Sequence, residues 1–258
     1  MAASASIVVF ADCRQRFCEN AIGELVKCFQ DSKVGCVSGE LMLTQEQDSN
    51  IGAEMGAYWK YEKFIRKLES DTDAVIGATG AIYAIRKSLF KELPAEVLLD
   101  DVLTPMIILH SGYKVLFNPK ARAYDKVSKD MATEWRRKVR TLAGNWQLLS
   151  RTPEIFNPIR FGVFWRLLSH KIFRLLIPFW LMIAFISCMC VDGAMYKTLA
   201  AVQLVFYGAA ILTYFWSRLQ HNRVLKLVCF FCVLNAAAFV GFLYWATGKT
   251  NTLWRSNK

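Results

Sequence analysis

Leu175 to Val191, Thr198 to Ser217 and Leu227 to Gly248 are three apolar stretches that contain no charged residue. Each is close to the roughly 20 residues that cross a bilayer as a helix. Three in succession, joined by short connections, read as membrane spans rather than as buried core helices. The rest of the chain must therefore fold beside a membrane. The composition agrees: 54% of the 258 residues are apolar, yet the net charge is +11. That combination suits a membrane protein whose cytoplasmic face carries the Lys and Arg. No nucleic-acid-binding motif accompanies the basic charge, so no nucleic-acid partner is expected.

The flanks predict orientation. Arg166, Lys171 and Arg174 precede the first span, and Arg218, Arg223 and Lys226 lie between the second and third, whereas "DGAMYK" between the first two has no excess charge. The positive-inside rule puts the amino-terminal half and the 218–226 loop in the cytoplasm. Three full crossings would leave the basic tail 249–258 outside, against the same rule. Residues 151–174, with "NPIRFGVFWRLLSHKIFRLL", mix aromatic and basic residues at helical spacing and read as an amphipathic interfacial segment on membrane lipid. No cleavable signal peptide is read at the amino end. The 8 cysteines are scattered, and they read as free thiols in a reducing compartment.

Residues 1–150 read as an α/β domain. "SIVVFAD" is a strand delivering Asp12 to its carboxyl end, and "RFCENAIGELVKCFQDSKVG" has a helical period through residues 21, 22, 25, 26 and 29. "VGCVSGEL" is a second strand. "GAYWKYEKFIRKLES" is an amphipathic helix with Tyr58, Tyr61, Phe64, Ile65 and Leu68 on one side. "AVIGATGAIYAIRKSLF" reads as strand–turn–strand, and "GYKVLFNPKARAY" as a short strand pair.

Two acids stand out in "EVLLDDVLTPMIILHSGYKVLF". Asp100 and Asp101 lie between apolar runs, where ionised carboxylates rarely sit without a partner or a task. They precede the helical run Val102 to Leu109, so backbone amides at its start can stabilise them. Pro105 is compatible with a helix only near its beginning. A pair in this position is a helix-start feature on its own, and a catalytic one only in a wider pattern.

That pattern is "IVVFADCRQRFCENAIGELVKCFQDSKVGCVSGEL", "YEKFIRKLES", "VIGATGAIYAIRKSLF", "LLDDVLTPMIILHSGYKVLFNPKARAYD" and "RRKVRTLAGNWQLLS", in that order. It resembles the membrane-embedded family 2 glycosyltransferases, the polysaccharide synthases of the cellulose, hyaluronan and poly-N-acetylglucosamine type. The resemblance implies a GT-A-like α/β nucleotide-sugar domain followed by transmembrane helices. It implies inverting transfer from a nucleotide-diphosphate sugar to a growing glycan or lipid-linked acceptor at the inner face of the cell membrane. Asp101 would be the general base beside Asp100, and Gly77, Ala78, Thr79 and Gly80 the turn beneath the acceptor end. Asp12 would match the first acid of the Asp-x-Asp motif that holds a divalent cation, Mg2+ or Mn2+.

Two blocks depart from the family. Arg14 replaces the second acid of Asp-x-Asp, which weakens a site for a hard cation but can contact a phosphate. The Gln-x-x-Arg-Trp block falls on Arg137 to Thr141, where Arg140 is kept, with Arg137 beside it, to brace the diphosphate; the Trp is lost, and Trp135 and Trp146 are out of register. The family's earlier nucleotide-binding strands are also missing before Ser6. The chain is expected to be the carboxyl-terminal portion of such an enzyme, completed by an amino-terminal polypeptide. The alternative is a non-catalytic membrane subunit or a degenerate remnant.

Overall fold

The structure is a computed structural model that describes residues 5–44, 52–126, 131–152, 161–250 and 252. Part of the basic tail, the 157–160 start of the interfacial segment and the side chain of Tyr58 lie outside the described residues. The chain divides into two compact units, Met1–Asp130 with Leu148–Leu167, and Met131–Gln147 with Leu168–Lys258.

The first unit is built on a mixed sheet of five strands: β1 (Ile7–Ala11), β2 (Arg16–Phe17), β3 (Val34–Thr44), β4 (Ile82–Arg86) and β5 (Lys114–Lys126), in the order β1-β4-β3-β5-β2. β4 runs antiparallel to both β1 and β3, while β3 and β5 are parallel. It follows that β1, β3 and β5 all end at one rim, the rim where β4 begins. Acids at the ends of strands are thereby collected on one edge.

Side-chain alternation gives the sheet two apolar faces. Tyr83 and Ile85 of β4 join Cys36, Val115 and Phe117 under α3 (Asp100–His110), whose Val102, Leu103, Met106, Ile108 and Leu109 fill that face. Ile82 and Ala84 instead join Val34, Val37, Ala121 and Ala123 under α1 (Ala21–Lys27), which contributes Ala21 and Leu25. Helices on both faces make a three-layer α/β/α unit.

Several sequence expectations change in detail. "AVIGATGAIYAIRKSLF" holds one strand, β4, preceded by an isolated bridge from Ala74 to Val115 rather than a first strand. "GYKVLFNPKARAY" is one strand, not a pair, because β5 follows β3 through a register irregularity between Ser38 and Glu40. On α2 (Gly52–Ser70) Tyr61, Phe64 and Leu68 are exposed and Ile65 is half-buried, while the acid Glu69 is buried and accepts the Ile76 amide.

Three helices are long and apolar enough to cross a membrane: Gly162–Cys190, which includes most of α5 (Phe161–Leu167) and all of α6 (Phe173–Cys190), then α7 (Ala194–Phe215) and α8 (Arg223–Ala246); from Leu168 onward they belong to the second unit. The first extends well before the Leu175 start read from the sequence, since α5 continues through a π-helical turn into α6. α4 (Met131–Arg151) enters this unit, where Trp146 stacks on Trp245 at 5.6 Å and meets Phe242 edge-on at 5.2 Å. Trp146 is thus a packing residue of the helical unit.

Candidate active site

The candidate site forms where β4 begins. Thr79 to Ile82 make a tight turn, closed by the Ile82 N–H donating to the Thr79 carbonyl at 3.0 Å. Thr79 is fixed twice more. Its N–H donates to the Oγ of fully buried Ser38 at 2.9 Å, and its own Oγ accepts from the Arg66 guanidinium. Gly77 has φ +95°, a left-handed conformation that a side chain disfavours, and a Cβ there would meet Val102 at 3.3 Å.

Asp101 completes the turn from the other side. Both acids lie inside the first turn of α3 rather than ahead of it, and Leu99 holds the cap position. The helix amides and dipole still favour carboxylates there. Asp100 is exposed and Asp101 half-buried. The Asp101 carbonyl accepts the Ala78 N–H at 2.7 Å. Pro105, inside the helix and fully buried, explains why that carbonyl is available. Four residues after Asp101, it lacks the N–H that would bond this oxygen in a regular helix. The Asp101 carboxylate sits against Gly80, where an added Cβ would lie 3.0 Å from Oδ2. Gly80 is exposed and, lacking a side chain, adds no bulk beside the carboxylate.

Asp12 lies on the same rim, its N–H 3.4 Å from the carbonyl of Ala81, the residue after Gly80. Gly80 and Ala81 thus lie between the two acids of the site. Arg14 Nη2 donates to Asp12 Oδ2 at 3.0 Å and lies 3.9 Å from Asp125 Oδ2. Gln15 Nε2 bridges the same two oxygens at 3.5 and 3.0 Å. The Arg14 hydrogen bond holds the Asp12 carboxyl below its ordinary range, against the opposing effect of burial. The same bond raises Arg14.

A divalent cation fits this donor set poorly. The Asp12 carboxylate already holds a guanidinium, and Asp125 already holds an amide nitrogen. Among the described residues no group of three or more His, Cys, Asp or Glu could hold a metal ion.

Sequence reasoning missed Ser38, Arg66 and Asp125. Asp125 near the end of β5 obeys the same strand-end signal as Asp12 and could have been found by it. Ser38 is hidden in an apolar strand, and Arg66 in a charged helix. Also unforeseen is the buried carboxylate of Glu40, bonded by Lys63 Nζ at 2.8 Å and by Arg122 Nε at 3.4 Å. It ties α2 to the sheet beside Thr79. Arg137 and Arg140 belong to the second unit, where Arg137 Nη1 lies 3.8 Å from Glu134.

No family model matches the sequence, and neither does any curated protein. Among solved structures, the mannosyltransferase PcManGT from Pyrobaculum calidifontis, in complex with GDP-Man and Mn2+, superimposes with a TM-score of 0.63 over 96% of this chain, at 19% identity. The two share a glycosyltransferase fold. The likeness covers the mixed sheet with its helices and the apolar helices that follow, and it is a likeness of fold alone at this identity. The chain spans 64% of the length of that mannosyltransferase.

Proposed function

We propose that the chain is part of an inverting membrane glycosyltransferase that moves a sugar from a nucleotide-diphosphate donor to a growing glycan or lipid-linked acceptor. The observation that carries this is the Asp101 carboxylate lying against the exposed Gly80, on the rim that also bears Asp12. Asp101 takes the proton of the acceptor hydroxyl as its oxygen attacks the anomeric carbon, and the turn of Gly77 to Gly80 carries the acceptor end. One displacement with one base inverts the anomeric centre. Asp100, exposed in the same helical turn, adds negative charge beside the base. Arg137 and Arg140 are proposed to brace the leaving diphosphate.

Three apolar helices support a membrane location, and the Lys and Arg flanks support the cell (inner) membrane with the α/β unit at its cytoplasmic face. The outer edge of β1 has no strand partner among the described residues, and the chain matches only part of its structural neighbour. Both support a further polypeptide completing the donor side. Mg2+ or Mn2+ is the cation that the family resemblance implies, and Mn2+ accompanies GDP-Man in the mannosyltransferase complex.

The test is transfer from a panel of nucleotide-diphosphate sugars by the protein in lipid nanodiscs. Asp101→Asn should lower kcat by about 10²–10⁴-fold while donor binding persists. Unchanged turnover would remove Asp101 as the base. Donor binding without transfer by the unaltered protein would favour the non-catalytic subunit.

A further inference from the structure

We propose that the Arg14 guanidinium stands in the place of the divalent cation and is the positive charge that receives the leaving nucleoside diphosphate, so that transfer at this site needs no metal ion. The inference rests on the glycosyltransferase reading above and concerns how that reaction is balanced electrically.

The geometry is that of an occupied cation position. The Oδ2 atoms of Asp12 and Asp125 converge on the same two donors, Arg14 Nη2 at 3.0 and 3.9 Å and Gln15 Nε2 at 3.5 and 3.0 Å. The Arg14 N–H adds a bond to Asp12 Oδ1 at 3.3 Å. Both carboxylates therefore face nitrogen donors already. A dication would have to displace the guanidinium and would find one strand-end acid on each side, without the second acid of an Asp-x-Asp pair.

The guanidinium is also placed to do more than pair with Asp12. Asp125 is 11% exposed, but the Arg14 side chain is 58% exposed. Among the described residues its side-chain bonds run through Nη2 alone, which leaves Nε and Nη1 as donors. A planar guanidinium with donors to spare matches phosphate oxygens, and it cannot lose its proton near neutral pH. The Asp12 bond fixes the orientation in which those donors are offered.

The step balances without a metal. The acceptor hydroxyl oxygen forms its bond to the anomeric carbon, and the bond from that carbon to the β-phosphate oxygen breaks. The electron pair stays on the phosphate, and the hydroxyl proton passes to Asp101. The leaving diphosphate gains one negative charge, which the fixed positive charge of Arg14 offsets. Charge stabilisation of this kind acts where the charge develops.

Transfer by the full chain in nanodiscs, measured with EDTA and with added Mn2+, tests this directly. Undiminished transfer in EDTA is expected, with a loss of about 10²–10³-fold in Arg14→Gln. Arg14→Asp, which recreates the two-acid motif, should make whatever transfer it supports dependent on Mn2+. Wild-type transfer abolished by EDTA and restored by Mn2+ would overturn the proposal. A wild-type chain inert under every condition is what a chain awaiting its donor-side polypeptide would give, and Mn2+ binding followed by electron paramagnetic resonance then decides the cation position separately. Mn2+ bound by Arg14→Asp, lost on adding Asp12→Asn and absent from wild type, supports the assignment. Equal Mn2+ binding by wild type and Arg14→Asp, or binding by neither, overturns it.

Discussion

The carboxylate of Asp101 lies 3.0 Å from the point where a side chain on Gly80 would begin. Gly80 does not have a positive φ, so its backbone would accept alanine. Gly80→Ala should therefore leave the unfolding midpoint nearly unchanged while shifting the carboxylate by a few tenths of an ångström. Misplacement of a base lowers kcat/KM by about 10–100-fold. Kinetics paired with thermal unfolding checks both halves, and a fully active Gly80→Ala would show that the Gly80 side of Asp101 is not the acceptor side.

Gly77 should behave in the opposite way. Its φ of +95° and the 3.3 Å approach to Val102 make any side chain there a strain on the backbone. Gly77→Ala is expected to cost about 1–3 kcal/mol of stability. Equilibrium denaturation of the two variants side by side should show the loss at residue 77 and not at residue 80.

Glu40 anchors α2 beside the turn. Removing its carboxylate leaves Lys63 and Arg122 without their shared partner, so Glu40→Ala should destabilise by about 1–3 kcal/mol. Lys63 and Arg122 retain some exposure, 31% and 49%, which keeps the loss below that of a fully buried pair. Protease sensitivity within α2 is the direct readout.

Asp12 gives a pH signature. Its folded carboxyl is lowered, chiefly by the Arg14 hydrogen bond. A lowered group contributes stability above its unfolded value, about 3.9, and loses it as pH falls through the lower folded value. The difference in unfolding midpoint between wild type and Arg14→Gln should therefore be constant from neutral pH down to about pH 5 and shrink below about pH 4. A difference that grew on acidification would contradict the pairing.

The sequence carried the local placement of these residues further than it carried the sheet. Asp12 at a strand end, the glycine turn and the two acids at a helix start were each readable from local pattern, because each depends on neighbouring residues in the chain. The exposed face of α2 was not, since Tyr61, Phe64 and Leu68 have the same period whether they turn inward or outward. The strand pair expected in "GYKVLFNPKARAY" is one strand, β5, because pairing with β3 stops after Phe117 and resumes at Arg122, a tertiary contact that local pattern does not report. Ser38 and Arg66 could not be assigned because their roles exist only once β3 and α2 meet Thr79.

Pro105 gives the proposed base, Asp101, an assembly order. A helix with an ordinary residue there would satisfy the Asp101 carbonyl by itself as soon as it formed. Here that carbonyl is met by Ala78, a residue far away in the chain, so the first turn of α3 and the glycine turn are completed together. Their amides should exchange with solvent in one opening event, with Ala78 and Leu103 protected to the same degree. The proposed catalytic geometry would then be lost or gained as a unit, never half-made.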